Sequence, residues 1–225
     1  MNTENTENLI ALLRSDDNFD QGLELCRAIG LSADTVLDKL GFLVELTQIP
    51  GGASKIGEEG QREEVHFEEF EMTVTMTTVA QWVSLMGWVF TGTARRAATE
   101  KDFADQRPVV NVTAHEVQEF CRRLTAIYSL DDSSIEVRLP HSAEWEHAAR
   151  GGENYKYAGS DDPDEVAWYA GNSDYELKPV GLKKPNGFGL YDMSGNAYCW
   201  TATEWDPEDP SGAAAYRSWI EENGT

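Results

Sequence analysis

The sequence has few cysteines and no long hydrophobic run. It contains three cysteines, Cys26, Cys121 and Cys199, which lie far apart. An odd number of cysteines without CxxC spacing argues against both a disulfide framework and a zinc site. No stretch approaches eighteen apolar residues, which argues against a membrane-spanning helix, and the polar, acidic segment Met1–Asn8 does not resemble a secretory signal. We therefore expect a reduced, cytoplasmic protein.

Basic residues are also scarce. Eighteen Lys and Arg stand against forty Asp and Glu, which gives a formal net charge of −22. A field of this sign repels phosphate backbones and anionic lipid, so we expect neither nucleic acid nor a membrane surface as a direct partner. A basic protein partner is compatible with the charge, and so is a surface that merely keeps the chain in solution.

The first 47 residues have the pattern of three short amphipathic helices. Asn18, with Gln21 three residues later, and Ser32 are suitable residues to cap the second and third helices, and Gly30 is suited to end the second. A segment of this size is too small to be stable alone. We therefore predict a helical appendage over residues 1–47 and a larger domain over residues 48–225.

Beyond residue 48 the chain alternates short extended stretches, turns and isolated helices. Two capping boxes, Thr78 with Gln81 and Thr113 with Glu116, mark helix starts. The expected elements are a strand over 65–72, a helix over 78–87, a helix from Thr113, a strand over 135–139 and a helix over 142–150. The rest, from residue 154, is rich in Gly, Asn, Asp, Tyr and Trp and has little periodicity, so aromatic anchors must fix it.

Four separated blocks, in order, resemble the formylglycine-generating-enzyme (sulfatase-modifying factor) family. They are Ile49-Pro50-Gly51-Gly52, residues 108–124, residues 138–152 and residues 185–197, the last closing at Trp200. The resemblance implies an irregular α+β fold of the C-type-lectin kind, preceded here by the small N-terminal helical segment. It also implies a ligand surface near the end of the chain. Where the family usually has Thr as a helix cap, this chain has His141, a poorer capping residue.

Enzymes of this family hold copper with a pair of cysteines late in the domain, because soft thiolates suit Cu(I). Only Cys199 lies in that part of this chain. A related group holds iron with histidines on a helical bundle, but the N-terminal helical segment here contains no histidine, and no two histidines of the chain form an HxxxH pair. The resemblance therefore implies a domain without either metal centre. A divergent oxidase in which His141, His147, Glu144 and Cys199 converge is the alternative.

The family's calcium sites are only partly matched, and we expect no other cofactor. Asp192, Gly195 and Ala197 match the first ligand positions of one site, but Cys199 stands where the family has a Glu. A hard cation loses a charged oxygen ligand there, so the resemblance implies at most a weak calcium site. Asn172 matches one position of the other site.

Our leading hypothesis is a non-catalytic recognition module, or regulatory subunit, that binds another protein within a bacterial assembly. The expected surface consists of Tyr198, Thr201, Thr203, Trp205, Tyr216 and Trp219. Trp200 is expected in the core. Arg217-Ser218-Trp219 matches a late strand of the family, and the family's last strand has no match, so we expect either an open sheet edge or a domain whose last strands lie beyond residue 225. The alternatives are the divergent oxidase and a variable ligand-binding protein of a diversity-generating retroelement.

Overall fold

The computed structural model describes residues 3–58, 60–92, 94–204 and 212–223. The chain forms two compact units. The first unit comprises Met1–Val44 and Thr77–Arg138, and the second comprises Glu45–Met76 and Leu139–Thr225. No helix within the described ranges is long and apolar enough to cross a membrane.

The first unit is mainly helical. Its elements are α1 (Thr3–Leu13), α2 (Phe19–Ala28), α3 (Ala33–Leu40), α4 (Val79–Met86), the antiparallel pair β5 (Trp88–Thr91) and β6 (Ala94–Ala97), a 3-10 helix (Glu100–Ala104) and α5 (Ala114–Tyr128). One hydrophobic core joins α1–α3 to α4 and α5. In that core the Trp82 ring stacks on Phe120, with ring centroids 5.2 Å apart. The predicted appendage therefore shares its core with residues 77–138.

Helix caps in this unit follow the sequence closely. The Ser32 hydroxyl accepts the Thr35 N–H, and both predicted capping boxes, which start α4 and α5, are formed. The capping box predicted at Asn18 is wrong. Asn18 has φ −125° and ψ 7° rather than an extended conformation, and its side chain donates to Ser15 Oγ instead.

The predicted strand over 135–139 is irregular chain. The Thr125 hydroxyl accepts the Val137 N–H at 2.8 Å and lies 3.2 Å from the Val137 carbonyl, to which it can donate. One side chain of α5 therefore satisfies the backbone groups that a neighbouring strand would otherwise bind. Cys121, on the same helix, is partly buried, and desolvation raises the pKa of its thiol to about 11. That thiol is not a reactive nucleophile at neutral pH.

In its described residues, the second unit contains two antiparallel strand pairs and three helices. The pairs are β1 (Leu46–Ile49) with β4 (Phe70–Thr73) and β2 (Gly52–Ile56) with β3 (Glu63–Phe67), and the helices are α6 (Ser142–Arg150), α7 (Pro163–Val166) and α8 (Ala213–Asn223). The strand predicted over 65–72 is thus two strands with different partners. The chain turns at Glu68 and Glu69, where a side chain on Gly51 would lie 2.8 Å from the Phe67 carbonyl oxygen.

The segment that resembles a late strand of the family is helical here. Arg217-Ser218-Trp219 lies in α8, so the prediction of a strand is wrong. Tyr216 of α8 stacks on Phe67 of β3 with ring centroids 5.0 Å apart, and Arg217 forms an ion pair with Glu63. An amphipathic helix therefore covers the apolar residues of β2 and β3.

Candidate functional site

An open cleft of about 720 Å³ lies in the second unit. It is lined by one residue of α6 and by two loops: Trp145, Trp168, Tyr169, Ala170, Asp192, Met193, Gly195, Asn196, Ala197, Tyr198, Cys199 and Thr201. Four of these residues are aromatic, and Asp192 is the one that carries a formal charge at neutral pH. The described lining of the cleft is therefore aromatic and carries a single negative charge.

The two loops contact each other at the turn Ser194-Gly195-Asn196, where Gly195 forms a β-bridge with Trp168. Gly195 has φ +87°, and a Cβ there would lie 2.2 Å from the Trp168 carbonyl oxygen, so only glycine fits. The Asn196 N–H donates to that same carbonyl at 2.8 Å. The Asn196 side-chain amide pairs with both backbone groups of Lys178. The backbone of the cleft is thus held by several hydrogen bonds.

Asp192 lies in this loop with only 2% of its surface exposed. Its Oδ2 accepts the Gly181 N–H at 2.8 Å, whereas its buried Oδ1 has no hydrogen-bond partner among the described residues. Burial raises the pKa of this carboxyl, and the donors of Gly181 and Asn196 offset only part of the rise. The fold thus places an incompletely satisfied carboxylate at the cleft.

Cys199 does not provide a copper site. Copper in this family requires two thiolates, and the other two cysteines, Cys26 and Cys121, belong to helices of the first unit. Desolvation raises the pKa of the Cys199 thiol, with a smaller opposing effect from the Trp145 side chain. Cys199 is thus a single neutral thiol at physiological pH, and the donor set does not fit Cu(I).

The residues of the oxidase alternative do not converge. His147 Nε2 donates to the Pro50 carbonyl at 2.9 Å, so its Nδ1 accepts from Ser54 Oγ in the neutral ring. Glu144 accepts the His141 backbone N–H, while His141 itself lies beside the late loop. The described part of the chain contains no group of three His, Cys, Asp or Glu that could hold a metal ion.

One of the residues at the expected calcium site, Asp192, suits calcium, whereas another, Cys199, does not. The unpartnered Oδ1 of Asp192 is a suitable oxygen ligand, and Gly195 and Ala197, whose carbonyls the family uses, line the same cleft. Cys199 offers sulfur where the family has a carboxylate. One carboxylate with two carbonyls falls short of the six to eight oxygens that Ca²⁺ prefers, so a weak site stays the prediction.

The predicted binding residues do not form one surface in the structure. Tyr198 is fully exposed and lines the cleft. Thr201 lies 3.0 Å from Ser142 Oγ, and Thr203 Oγ1 accepts the Ser142 N–H at 3.1 Å, so both hold the late loop against the first turn of α6. Thr203 thereby supplies the capping oxygen at a helix that begins with the weak cap His141.

The other predicted residues lie elsewhere. Tyr216 is buried against Phe67, so the prediction that it belongs to an exposed surface is wrong. Trp219 is partly buried and packs against His141, with ring centroids 4.9 Å apart. Trp205 lies outside the described residues. Trp200, predicted to be in the core, is 49% exposed.

Sequence reasoning missed Trp168 and Tyr169 as cleft residues. Two adjacent aromatics in a loop rich in Asn and Gly were the available signal. Tyr169 is exposed, and its hydroxyl donates to Asp164 at 2.9 Å. Lys183 places its ammonium 4.1 Å from the Trp168 ring centroid. The indole Nε1 of Trp168 is buried and has no partner among the described residues.

Comparison with known protein families now identifies the fold. Residues 41–220 match the sulfatase-modifying factor enzyme 1-like domain. The chain belongs to this family. Chaperone protein LppX of Paenibacillus barcinonensis is 30% identical across 84% of this chain and 82% of its own length. Formylglycine-generating enzyme of Mycobacterium tuberculosis is 40% identical, but the match covers only 34% of this chain and 31% of that enzyme.

Solved structures agree with this assignment. Treponema denticola variable protein 1 superposes with a TM-score of 0.57 and 26% identity, covering 72% of this chain and 73% of its own. PvdO from Pseudomonas aeruginosa has a TM-score of 0.55 at 23% identity, with 72% of each chain covered, and shows the fold alone. The predicted irregular α+β, C-type-lectin-like fold with N-terminal helices is confirmed.

Proposed function

We propose that this protein is a non-catalytic recognition module that binds another protein through the cleft of its second unit. The observation that carries the proposal is the cleft itself, which has aromatic walls, one buried carboxylate and a single thiol where the family's oxidases need two. Two relatives support it. One is named a chaperone protein, and a mouse relative, 35% identical over 31% of this chain, is named an inactive formylglycine-generating enzyme.

The exposed rings suit protein recognition. Tyr198 is fully exposed, and Tyr169 and Trp200 are each more than 40% exposed. Aromatic rings contribute large contact areas at low cost in conformational entropy, and they dominate many binding surfaces. Three exposed aromatic residues on the loops at or next to one cleft are therefore more than the scattered apolar exposure of an ordinary surface.

The loop that carries Tyr198 and Trp200 is held in place before any partner arrives. Thr201 and Thr203 bind it to Ser142, and Asn196 holds its base to Lys178. A preformed surface loses less entropy on binding than a mobile one. We expect the partner to be a protein, such as a subunit of a bacterial assembly.

The test is native purification of the tagged chain, with identification and mass measurement of what co-purifies. Wild-type protein should retain a stoichiometric partner, and Tyr198→Ala should lose it. Tyr175→Ala is the matched control, because Tyr175 is 88% exposed but does not line the cleft. A solitary chain that carries stoichiometric copper or iron would contradict the proposal and favour the oxidase alternative.

A second candidate is a variable ligand-binding protein of a diversity-generating retroelement. The specific observation is the 26% identity to a Treponema protein that is itself named variable. Sequencing this gene from many isolates tests the idea. Substitutions concentrated at Tyr198, Thr201 and Thr203 would support it, whereas substitutions spread evenly over the exposed residues would refute it.

A further inference from the structure

We propose that the occupant of the cleft is a cationic side chain, an arginine or a lysine, presented by the partner protein. This inference rests on the proposed function and adds the chemistry that the partner must have. It follows from the negative charge of the cleft, from its aromatic walls and from the absence of an ion-pair partner for Asp192 among the described residues.

The charge of the cleft is uncompensated. Among the described residues that line the cleft, Asp192 is the charged one, and none is Lys, Arg or His. Among the described residues Asp192 forms no ion pair, and its Oδ1 accepts no hydrogen bond. A buried carboxylate that lacks a cation gains more from a charged partner than an exposed one does, because the surrounding dielectric is low.

The walls are suited to the same kind of ligand. The faces of Trp and Tyr rings are electron-rich and attract ammonium and guanidinium groups. This unit already contains such contacts, and one of them is at the cleft: Lys183 lies over the Trp168 ring, although it is not part of the lining. Tyr198 and Tyr169 are exposed and line the cleft. The contact with an incoming cation therefore falls mainly on these two tyrosines.

The size and the long-range field agree with a side chain attached to a protein. A cleft of about 720 Å³ has room for an arginine together with the peptide on either side of it. The net charge of −22 attracts basic partners from a distance and so raises their association rate. The electrostatic field of the whole protein attracts any basic surface, whereas the cleft has room for one projecting cationic side chain.

The experiment uses two blocked tripeptides, acetyl-Gly-Arg-Gly-amide and its citrulline counterpart, which has nearly the same shape but no charge. Binding to the full chain is measured by saturation-transfer NMR titration in 150 mM salt with a chelator. The arginine peptide should bind at least about fivefold more tightly than the citrulline peptide. Tyr198→Ala should weaken arginine binding about fivefold, and Tyr198→Phe should retain it. Tyr175→Ala should bind as the wild type does.

The Asp192→Asn variant distinguishes the contribution of the carboxylate to binding from the contribution of the aromatic rings. This variant should lose the preference for arginine while its weak binding of citrulline stays unchanged. Equal binding of the two peptides by the wild type would overturn the inference, and so would equal binding by wild type and Tyr198→Ala. If Asp192→Asn does not fold, the Tyr198 series still decides. A captured partner that depends on Tyr198, with neither tripeptide binding, would overturn this inference and leave the proposed function standing.

Discussion

At the scale of single residues, Asp192 is a carboxyl group that the fold shields almost completely from water. Its pKa is raised above the ordinary value of 3.8 by burial. The folded protein therefore holds this proton more tightly than the unfolded chain does. The carboxyl favours the folded state at pH values below about 4, and that contribution is lost as the pH rises through the folded pKa.

Asp192→Asn removes this titration. We expect the melting temperature of the variant, relative to the wild type, to rise between pH 4 and pH 7, because the amide never carries the buried charge. Thermal unfolding at several pH values with a chelator present measures the difference. A difference that does not change with pH would show that Asp192 keeps an ordinary pKa in the folded protein.

Cys199 provides a second prediction at this scale. Cys199→Glu places a carboxylate beside Asp192, where the family has one, and gives calcium a second charged ligand. We expect calcium at millimolar concentration to raise the melting temperature of this variant more than that of the wild type. Cys199→Gln is the uncharged control and should not show the larger shift. An equal response of all three proteins would mean that these residues do not form a calcium site.

Some residue roles were readable from the sequence and others were not. The Ser194-Gly195-Asn196 turn has a local signal in the sequence, because Gly and Asn, which have positive φ here, are the residues that adopt it most easily. Gly187 is required for close approach rather than for positive φ, since a Cβ there would lie 2.3 Å from the Gly151 carbonyl oxygen. Close approach between distant segments leaves no local pattern in the sequence.

At the scale of elements, α6 depends on side chains from distant loops at both ends. Thr203 binds its first turn, and Asn186 binds its last. Asn186 is buried, and its Nδ2 donates to the carbonyls of Ala148 and Ala149, while its Oδ1 accepts the N–H groups of Phe188 and Leu190. One amide thus satisfies carbonyls that the helix end would leave unpaired.

Asn186→Asp keeps the shape of this side chain and removes both donors. It also places a negative charge against two carbonyl oxygens, so we expect the free energy of unfolding to fall by about 2–4 kcal/mol. Urea denaturation followed by circular dichroism measures the change. Asn154→Asp, at an exposed position, is the matched control and should change stability little. Equal effects of the two substitutions would contradict the role assigned to Asn186.

Elements with a local signal were predicted, and those that depend on distant contacts were not. The capping boxes of α4 and α5 lie within four consecutive residues and were correct. The helix α8 was expected to be a strand because three of its residues resemble a strand of the family. Its fold is stabilised by Tyr216 on Phe67 and by Arg217 on Glu63, contacts that span about 150 residues of sequence.

At the scale of the whole molecule, residues 1–47 show that apolar periodicity identifies helices but not the elements that pack against them. The apolar stripes correctly identified three helices, but a stripe shows which face is buried and not what covers it. Here the cover is the rest of the first unit. Leu9, Leu23 and Val36 lie in one core with Trp82 and Phe120. A helical appendage and an integral part of a core have the same local pattern.

Arg123 tests whether the N-terminal helices are integral to the first unit. Its fully buried guanidinium donates to Glu119 on α5, to Asp16 between α1 and α2, and to the Leu85 carbonyl on α4. Hydrogen bonds to charged groups each contribute roughly 1.5–3 kcal/mol, so Arg123→Met should destabilise the unit by about 2 kcal/mol or more. Hydrogen exchange followed by mass spectrometry shows which helices respond.

If the first unit is one cooperative core, α1–α3 and α4–α5 should lose protection from exchange together in Arg123→Met. Arg122→Met is the matched control: Arg122 also pairs with Glu119, but its side chain is 47% exposed, so its loss should change protection little. Loss of protection confined to residues 1–47 would instead mean that the N-terminal helices unfold alone. The shared core would then be two weakly coupled parts, and the segment would behave as the appendage that the sequence suggested.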